Sequence, residues 1–528
     1  MRDFKIKLIS LPLLYFQEAY TQFFLPYSLG ILTAFLKENN YQVILDDLSI
    51  KIEDNNKKFR FSSNSRINLN ILRQERDIID YSYNHSHNKK VGRFAEQITQ
   101  IVSCASYDLI GISVVTYSNF LFALLLSREI KSINKTKIVL GGPFITIYGK
   151  ELFEEFPVVD YMISGDGQIP LLKLIEHLEG QLSIEEIPSL FYRENGTIKA
   201  NPRKSFPIEN LSIPDFSDLN LNLYRSMGDN DLVLPYLVTR GCRRNCNFCK
   251  HKAVNSFFES KSYNKVVREL KTLKERYRTN SFWFRDDNIN SSYEYLDRLC
   301  DIFIEERLDI SWRAIAIADN LNGRILHKMK KAGCKSLSFD IISGSDRVLK
   351  SMNKGFGVER SSSVLMDSYR EGIKNIIYFT VGYPHEQEKD ITQTTEFIKI
   401  NSKYIDFIAA VVPFVALYNT PLYDNPELFG IKNLRPVSDN FPKFVFKHFA
   451  FDEIDGPKWE EKIRLQERFR KKILEADFKY VLPKKYHFNF IPFWFYFWLR
   501  EKLRFLYVGW VFRIIKLFLP YLGKKTKV

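Results

Sequence analysis

Thr239-Arg-Gly-Cys242-Arg-Arg-Asn-Cys246-Asn-Phe-Cys249-Lys-His251 gathers three of the six cysteines of a 528-residue chain into eight positions. The run follows a strand-like segment, 236–239, so it reads as a loop at a strand end that presents three thiolates from one short piece of backbone. Three thiolates can hold three irons of a [4Fe–4S] cluster and leave the fourth iron open to a substrate, whereas a purely electron-transferring cluster normally takes four cysteines. A structural zinc site that adds His251 as fourth ligand uses the same residues. The spacing is that of a metal site and not of a disulfide framework, and the scattered Cys104, Cys300 and Cys334 read as small buried or loop residues.

Downstream, strand-like runs recur at 281–284, 310–316, 336–341, 376–381 and 407–414, with helical segments between them. Six strands separated by helices predict a partial (β/α)6 TIM-type barrel over 232–430. Upstream, short apolar runs at 5–11, 42–45, 108–115 and 137–140 alternate with amphipathic segments such as 28–37. This cadence predicts an α/β, doubly wound Rossmann-like domain over 1–205, interrupted by a polar insertion at about 51–95 that is helical around 71–81. The segment 206–231, with Pro207 and Pro214, reads as a linker. Beyond 430 the cadence stops, and 431–528 reads as a third region, a helix at about 458–476 followed by an aromatic, basic tail.

The cysteine run and the segments after it resemble the radical S-adenosylmethionine (SAM) superfamily over about 232–423. The resemblance implies that Cys242, Cys246 and Cys249 hold a [4Fe–4S] cluster whose open iron chelates SAM. Phe248 stands at the aromatic position that the family places beside adenine. Asp286 and Asp287, in Phe284-Arg-Asp286-Asp287-Asn288, stand where the family presents polar groups to the SAM ammonium, an apt pairing for carboxylates. In Phe339-Asp340-Ile341-Ile342-Ser343-Gly344-Ser345, Asp340 and Ile342 replace the glycine and glutamate of the family's Gly-x-Glu-Ser-Gly-Ser, so Ser343 is the polar SAM contact expected there. Gly382, in Phe379-Thr-Val-Gly382-Tyr-Pro384-His385-Glu386, matches the glycine that lets the backbone approach adenine. Glu386 is expected to cap the following helix, and His385 to be exposed.

In the N-terminal part, Thr116, the pair Gly141 and Gly142 with Thr146, and the pair Gly165 and Gly167 close three successive strand-like runs. Strand C-termini and their glycine loops are where open α/β sheets bind ligands. The trio is similar to the cobalamin-binding domain that precedes the barrel in one large radical SAM subgroup, which makes these six residues the expected cobalamin contacts. The Asp-x-His-x-x-Gly motif of other cobalamin proteins is absent, so no protein histidine is expected beneath the cobalt. The resemblance as a whole implies a cobalamin-dependent radical SAM enzyme, foremost a methyltransferase in which a 5′-deoxyadenosyl radical activates the substrate and methylcobalamin donates the methyl group. A cyclase, rearrangement or oxidative reaction without methyl transfer is the second reading within this architecture. A non-catalytic corrin-binding or membrane-docking protein is the reading from another class.

Composition places the partner question at one end of the chain. Of a formal net charge of +15, the last 59 residues carry +11, from 14 basic and 3 acidic side chains. Tyr486-His-Phe-Asn-Phe-Ile-Pro-Phe-Trp-Phe-Tyr-Phe-Trp-Leu499 is followed at once by Arg500-Glu-Lys-Leu-Arg504, so neither apolar run of the tail reaches the ~20 residues of a bilayer span. Aromatic rings beside Lys and Arg suit a membrane interface, and they equally suit a lid over the barrel. The expectation is a cytoplasmic enzyme, peripheral on the inner face of a membrane if the tail meets lipid. It would take a small-molecule or lipid-like substrate and an external one-electron reductant. Nucleic acid ranks last, because no RNA-binding module accompanies the basic aromatic stretch.

Overall fold

The computed structural model describes residues 3–12, 24–58, 67–83, 88–102, 107–225, 232–254, 257–436 and 449–481. The aromatic tail and Cys104 lie outside the described residues. The described residues form two compact units, one up to Leu232 and one from Val233 to Val481.

The first unit is built on a seven-stranded sheet. Strands β1 (Lys5–Ser10), β2 (Gln42–Asp47), β3 (Leu109–Ser113), β4 (Lys137–Gly141) and β5 (Tyr161–Ile163) are parallel in the order 2-1-3-4-5, a doubly wound order. The antiparallel strands β6 (Leu190–Glu194) and β7 (Thr197–Ala200) extend it beyond β5. Ile6, Leu8 and Ile9 on β1 are all buried, the continuous apolar run of a strand covered on both faces. Lys7 is buried among them because Asp46 of neighbouring β2 lies 3.2 Å away.

The helix Tyr117–Ile133 is buried nearly all round, from Phe120 to Ser127. Part of its cover is the stretch that reads as a polar insertion. Helices Glu75–Ser82 and Lys89–Val102 pack on it, with Phe94 meeting Phe122 edge-on and Tyr81 donating to Glu129 at 2.8 Å. Among the described residues of the insertion, Ile78, Ile79 and Val91 make a buried side, while Asn68 and Asn70 are exposed.

In the second unit, β8 (Val233–Tyr236) starts a six-stranded sheet, and the short pair β9 (Thr239–Arg240) and β10 (Glu259–Ser260) follows it. The sheet continues through β11 (Ser281–Phe284), β12 (Ser311–Ala316), β13 (Cys334–Ile342), β14 (Lys374–Val381) and β15 (Phe407–Pro413). All six strands are parallel and neighbour one another in chain order, with a helix in each connection from β11 on, as in a partial (β/α) barrel. Antiparallel strands β16 (Ile431–Pro436) and β17 (Phe449–Glu453) precede the helix Trp459–Ala476, which packs on β15.

The first barrel strand lies three residues earlier than the sequence pattern predicts, at Val233–Tyr236 and not 236–239, and Thr239 falls instead in the short pair with β10, where it bonds Asp286. Tyr236 also donates its hydroxyl to Glu269 at 2.6 Å, and Glu269 is paired with Lys261 and Lys265, each at 2.7 Å. Lys261 and Glu269 are fully buried, so each is tolerable only because of the other. Glu269→Ala leaves the Lys261 ammonium uncompensated and is expected to destabilise this unit by about 3–5 kcal/mol, read as a lowered urea-unfolding midpoint.

Candidate functional site

The cysteine loop is anchored at both ends. At its start, Asp286 accepts the Thr239 backbone N–H and, at 2.6 Å, the Thr239 hydroxyl. Asp287 accepts the Gly241 N–H at 2.9 Å and sits 2.7 Å from His251 Nδ1. Asn288 donates to Cys242 Sγ at 3.1 Å. Farther along, Asn247 donates its backbone N–H to the Met352 carbonyl at 3.1 Å and its side-chain amide to the Ser351 carbonyl at 2.9 Å. It accepts the Leu422 N–H at 3.0 Å, and Asn353 bonds the Asn245 carbonyl at 2.8 Å. Arg244 reaches Asp319 in an ion pair. Residues from the segments after β11, β13 and β15 thus hold one loop.

Within it, Cys242, Cys246 and Cys249 are free and half-buried. Burial pushes the Cys249 thiol up to about 11 and raises Cys246, while the nearby Lys354 ammonium acts against burial at both. Among the described residues, no three His, Cys, Asp or Glu side chains converge on a point that could hold one metal ion. Cysteines that each bind a different iron of a cluster have no need to converge. His251, the fourth ligand of the zinc reading, bonds Asp287 through Nδ1, and that hydrogen bond raises its pKa.

The other sequence-predicted residues fall in two places. Phe248 rides on the same loop and packs against the buried apolar cluster that includes Ile342, Met352, Tyr383 and Leu422. Asp286 is buried, with its carboxyl pushed up to about 6 by that burial, and its Oδ2 has no hydrogen-bond partner among the described residues. Ser343 and Gly382 close β13 and β14 and bond other elements. Ser343 accepts the Ser345 N–H at 3.2 Å and lies 3.4 Å from Thr394 on the helix Glu388–Asn401. Ile342, at the family's glutamate position, takes a left-handed φ of 71°, which a β-branched residue rarely adopts. Gly382 has φ 81°, and a Cβ there would collide with Gln466 of the helix Trp459–Ala476.

That helix turns a polar stripe toward the strand ends. Lys462 donates to the Tyr383 carbonyl at 3.0 Å, Gln466 to Phe414 at 2.8 Å and Arg470 to Val411 at 3.2 Å. Glu386 accepts the Gly382 N–H and is buried, whereas the helix cap belongs to Gln387 and Asp390. His385, which the sequence suggests is exposed, is half-buried against Gly430, 3.4 Å from Glu453. Asn288, Asn247 and Gln466 were not singled out by sequence reasoning. Asn288 adjoins the two aspartates, but its partner lies 46 positions away, and nothing local announces the pairing.

In the first unit the predicted glycine-loop residues meet at the ends of β3, β4 and β5. Thr116 caps the helix Tyr117–Ile133 in a reciprocal box with Asn119. Thr146 accepts the Gly165 N–H at 2.9 Å and donates to the Gly142 carbonyl at 3.0 Å, tying two loops together. Gly142 has φ 107°, and a Cβ would lie 2.7 Å from the Val114 carbonyl oxygen, so only glycine lets the β3 and β4 loops close on each other. Gly141 accepts the Val114 N–H at 2.8 Å, and Gly167 precedes the helix Gln168–Leu178.

Residues 236–398 match the family model of the radical SAM superfamily, and residues 68–175 match that of the B12 binding domain. The chain belongs to the radical SAM superfamily and carries a B12-binding domain. This radical SAM chain is 26% identical over 424 residues to an uncharacterized methyltransferase of Pyrococcus horikoshii, covering 77% of the chain and 87% of the relative. In fold it is similar to the cobalamin-dependent radical SAM enzyme OxsB, solved with aqua-cobalamin (TM-score 0.64, 15% identity, 95% of this chain and 72% of that one). It is also similar to the radical SAM methyltransferase TsrM of Kitasatospora setae, solved with cobalamin and a [4Fe–4S] cluster (TM-score 0.61, 15% identity, 89% and 81%). The cofactors are a [4Fe–4S] cluster, SAM and cobalamin. The residues present fit them: three free thiols on a braced loop suit the cluster, and glycine-walled loops at strand C-termini suit a large planar ligand. No described helix is long and apolar enough to cross a membrane.

Burial pushes the Glu386 carboxyl up to about 7 from an ordinary value of 4.5. A carboxyl raised on folding favours the native state fully below its unfolded value, and that contribution is lost as pH rises through the folded value. The wild type is therefore expected to lose stability relative to Glu386→Gln between about pH 4.5 and 7, with no further divergence above, read from paired thermal melts across that range.

Proposed function

We propose that this cobalamin-dependent radical SAM enzyme is a methyltransferase acting on a small-molecule or lipid-like substrate. The observation that carries the reading is the Cys-x3-Cys-x2-Cys loop, free and braced, in a chain that aligns over 77% of its length with a methyltransferase and carries a B12-binding domain. When bound, the cluster supplies the electron that cleaves SAM to a 5′-deoxyadenosyl radical, and cobalamin supplies the methyl-transfer chemistry.

In this reading Cys242, Cys246 and Cys249 hold three irons, and Phe248 and Gly382 line the adenine side of SAM. Asp287 and Asn288 fix the loop from which the cysteines project, and the amide of Asn288 stabilises thiolate charge on Cys242. Asp286, held by Thr239 through one oxygen, keeps its other oxygen for the SAM ammonium, and Ser343 orders the turn after β13. Thr116, Gly141, Gly142, Thr146, Gly165 and Gly167 form the cobalamin cradle. In this reading the reductant is an external one-electron donor. The tail on which the expectation of membrane contact falls lies outside the described residues.

Anaerobic reconstitution with iron, sulfide and hydroxocobalamin, then SAM and a reductant, tests the reading. Retained cobalamin, 5′-deoxyadenosine from the wild type and none from Cys246→Ala are expected, with label from methyl-labelled SAM appearing in the product of a substrate screen. A protein that forms 5′-deoxyadenosine with substrate but transfers no label is a cyclase, rearrangement or oxidative enzyme. One that binds the corrin but assembles no cluster is a binding protein.

A further inference from the structure

Both flanks of Cys246 are bonded to the segment after β13, and that segment carries a buried lysine. The Asn353 side-chain amide donates to the carbonyl of Asn245, just before the cysteine, at 2.8 Å. Asn247, just after it, donates to the Met352 and Ser351 carbonyls at 3.1 and 2.9 Å. Gly355 also lies against the loop, since a Cβ there would stand 2.3 Å from the Arg244 guanidinium. Lys354 sits between these contacts, its backbone N–H donating to the Leu349 carbonyl at 3.1 Å at the end of the helix Asp346–Ser351. It is only 8% exposed, and its amine lies 5.3 Å from the Phe356 ring centroid.

A buried ammonium is costly unless an anion compensates it. The other buried cations of this unit obey that rule: Lys261 has Glu269, Lys462 has Glu453, and the half-buried Arg244, on the cysteine loop itself, has Asp319. Lys354 has no ion pair among the described residues. The groups that feel its charge are Cys246 and Cys249, where it opposes the effect of burial. Two further charges reach these sulfurs. Lys250 adjoins Cys249 and is half-buried, and Asp340, exposed on β13, acts on Cys246 in the sense opposite to Lys354. Solvent screens both more strongly than it screens a buried lysine.

Three thiolates outweigh the charge of the iron–sulfur core they hold, so the filled site is anionic, and an electron accepted from the external donor makes it more so. A cation kept out of solvent beside it therefore favours the reduced form over the oxidised one, and net charge and solvent exposure are among the quantities that set a cluster's potential. We infer that Lys354 is the counter-charge of the cluster, a positioning residue whose ammonium raises the reduction potential and so eases electron transfer from the external donor. The donor is oxidised by one electron and the cluster reduced by one, while Lys354 keeps its proton and forms no bond. The inference rests on the proposed reading of Cys242, Cys246 and Cys249 as the cluster's ligands.

The test uses the full-length protein with its cluster reconstituted anaerobically. The midpoint potential is read without SAM, by redox titration followed by electron paramagnetic resonance, in the wild type, Lys354→Met, Lys354→Arg and Asp340→Asn, and SAM binding to each is measured by equilibrium dialysis. Lys354→Met is expected to disfavour the reduced form about tenfold, a midpoint ~59 mV more negative. Lys354→Arg keeps the charge and is expected to stay near the wild type, and Asp340→Asn to move the midpoint less and in the opposite direction. Iron bound per chain reports that each variant holds its cluster, and where Lys354→Met loses iron, Lys354→Gln, which keeps a polar tip, takes its place. A midpoint unmoved in the neutral variant overturns the inference. So does an equal shift in Lys354→Met and Lys354→Arg, which marks a packing effect, or a shift of the same sign in Lys354→Met and Asp340→Asn. A loss of SAM affinity with the midpoint unmoved assigns the ammonium to the carboxylate of SAM and overturns it as well. A wild type that assembles no cluster overturns the reading of the cysteine loop itself, whereas a cluster with an unmoved midpoint overturns only the role of Lys354.

Discussion

Two neighbouring carboxylates after β11 determine where the cysteines can stand. Asp286 takes the hydroxyl and N–H of Thr239, and Asp287 takes the N–H of Gly241, so the backbone entering the cysteine loop is pinned to the next strand of the barrel. A loop that must present three thiolates in fixed geometry cannot rely on its own short-range bonds, because ligands misplaced by a fraction of a bond length no longer fit the cluster. The pinning is costly in isolation, since Asp286 is buried and its carboxyl is raised toward neutrality. It is sustained because the same residues that demand the buried carboxylate also hydrogen-bond it.

The far side of the loop is held by polar contacts of another kind. Asn247 bonds backbone on both the segment after β13 and the segment after β15, so the ends of non-adjacent strands converge on it. The helix Trp459–Ala476 serves the last two strands in a comparable way. Lys462, Gln466 and Arg470, spaced by four on one face, each donate to a carbonyl near the ends of β14 and β15. The Tyr383 carbonyl also accepts the Glu386 N–H, while the side chains of Gln466 and Arg470 supply donors to backbone at the open edge of the sheet. Gln466 also lies against Gly382, so a helix beyond the barrel shapes the turn that the family places beside adenine.

In the first unit the same logic works through hydroxyls. Thr116 reads in the sequence as a ligand contact, and the fold uses it to cap a helix. Thr146 reads the same way, and its hydroxyl bridges two glycine loops. Capping and bridging do not compete with a ligand role at a strand end, because they orient the backbone that a ligand would meet.

The sequence by itself determined the fold class, the six-strand barrel and the doubly wound sheet, each from local signals: a period of two or 3.6 in apolar residues and glycines between elements. Three cysteines within eight positions marked a metal site, and the resemblance of the motifs to radical SAM and cobalamin-binding domains implied the cofactor set. The first barrel strand stands three residues before its pattern, and Thr239 joins a second, two-stranded pairing beside Asp286. Only the tertiary structure decided what braces the cysteine loop, since Asn288 and Cys242 are 46 positions apart and the Lys462 amine is 79 positions from the Tyr383 carbonyl. It also decided that Lys354 stands beside Cys246, since Asn353 and Asn245 are 108 positions apart, and that Asp340 lies on the open side of β13. Strand alternation is visible in a sequence, but which face of a strand turns toward helices and which toward the hollow of the barrel is set by the closure of the sheet, and that is a property of the whole chain.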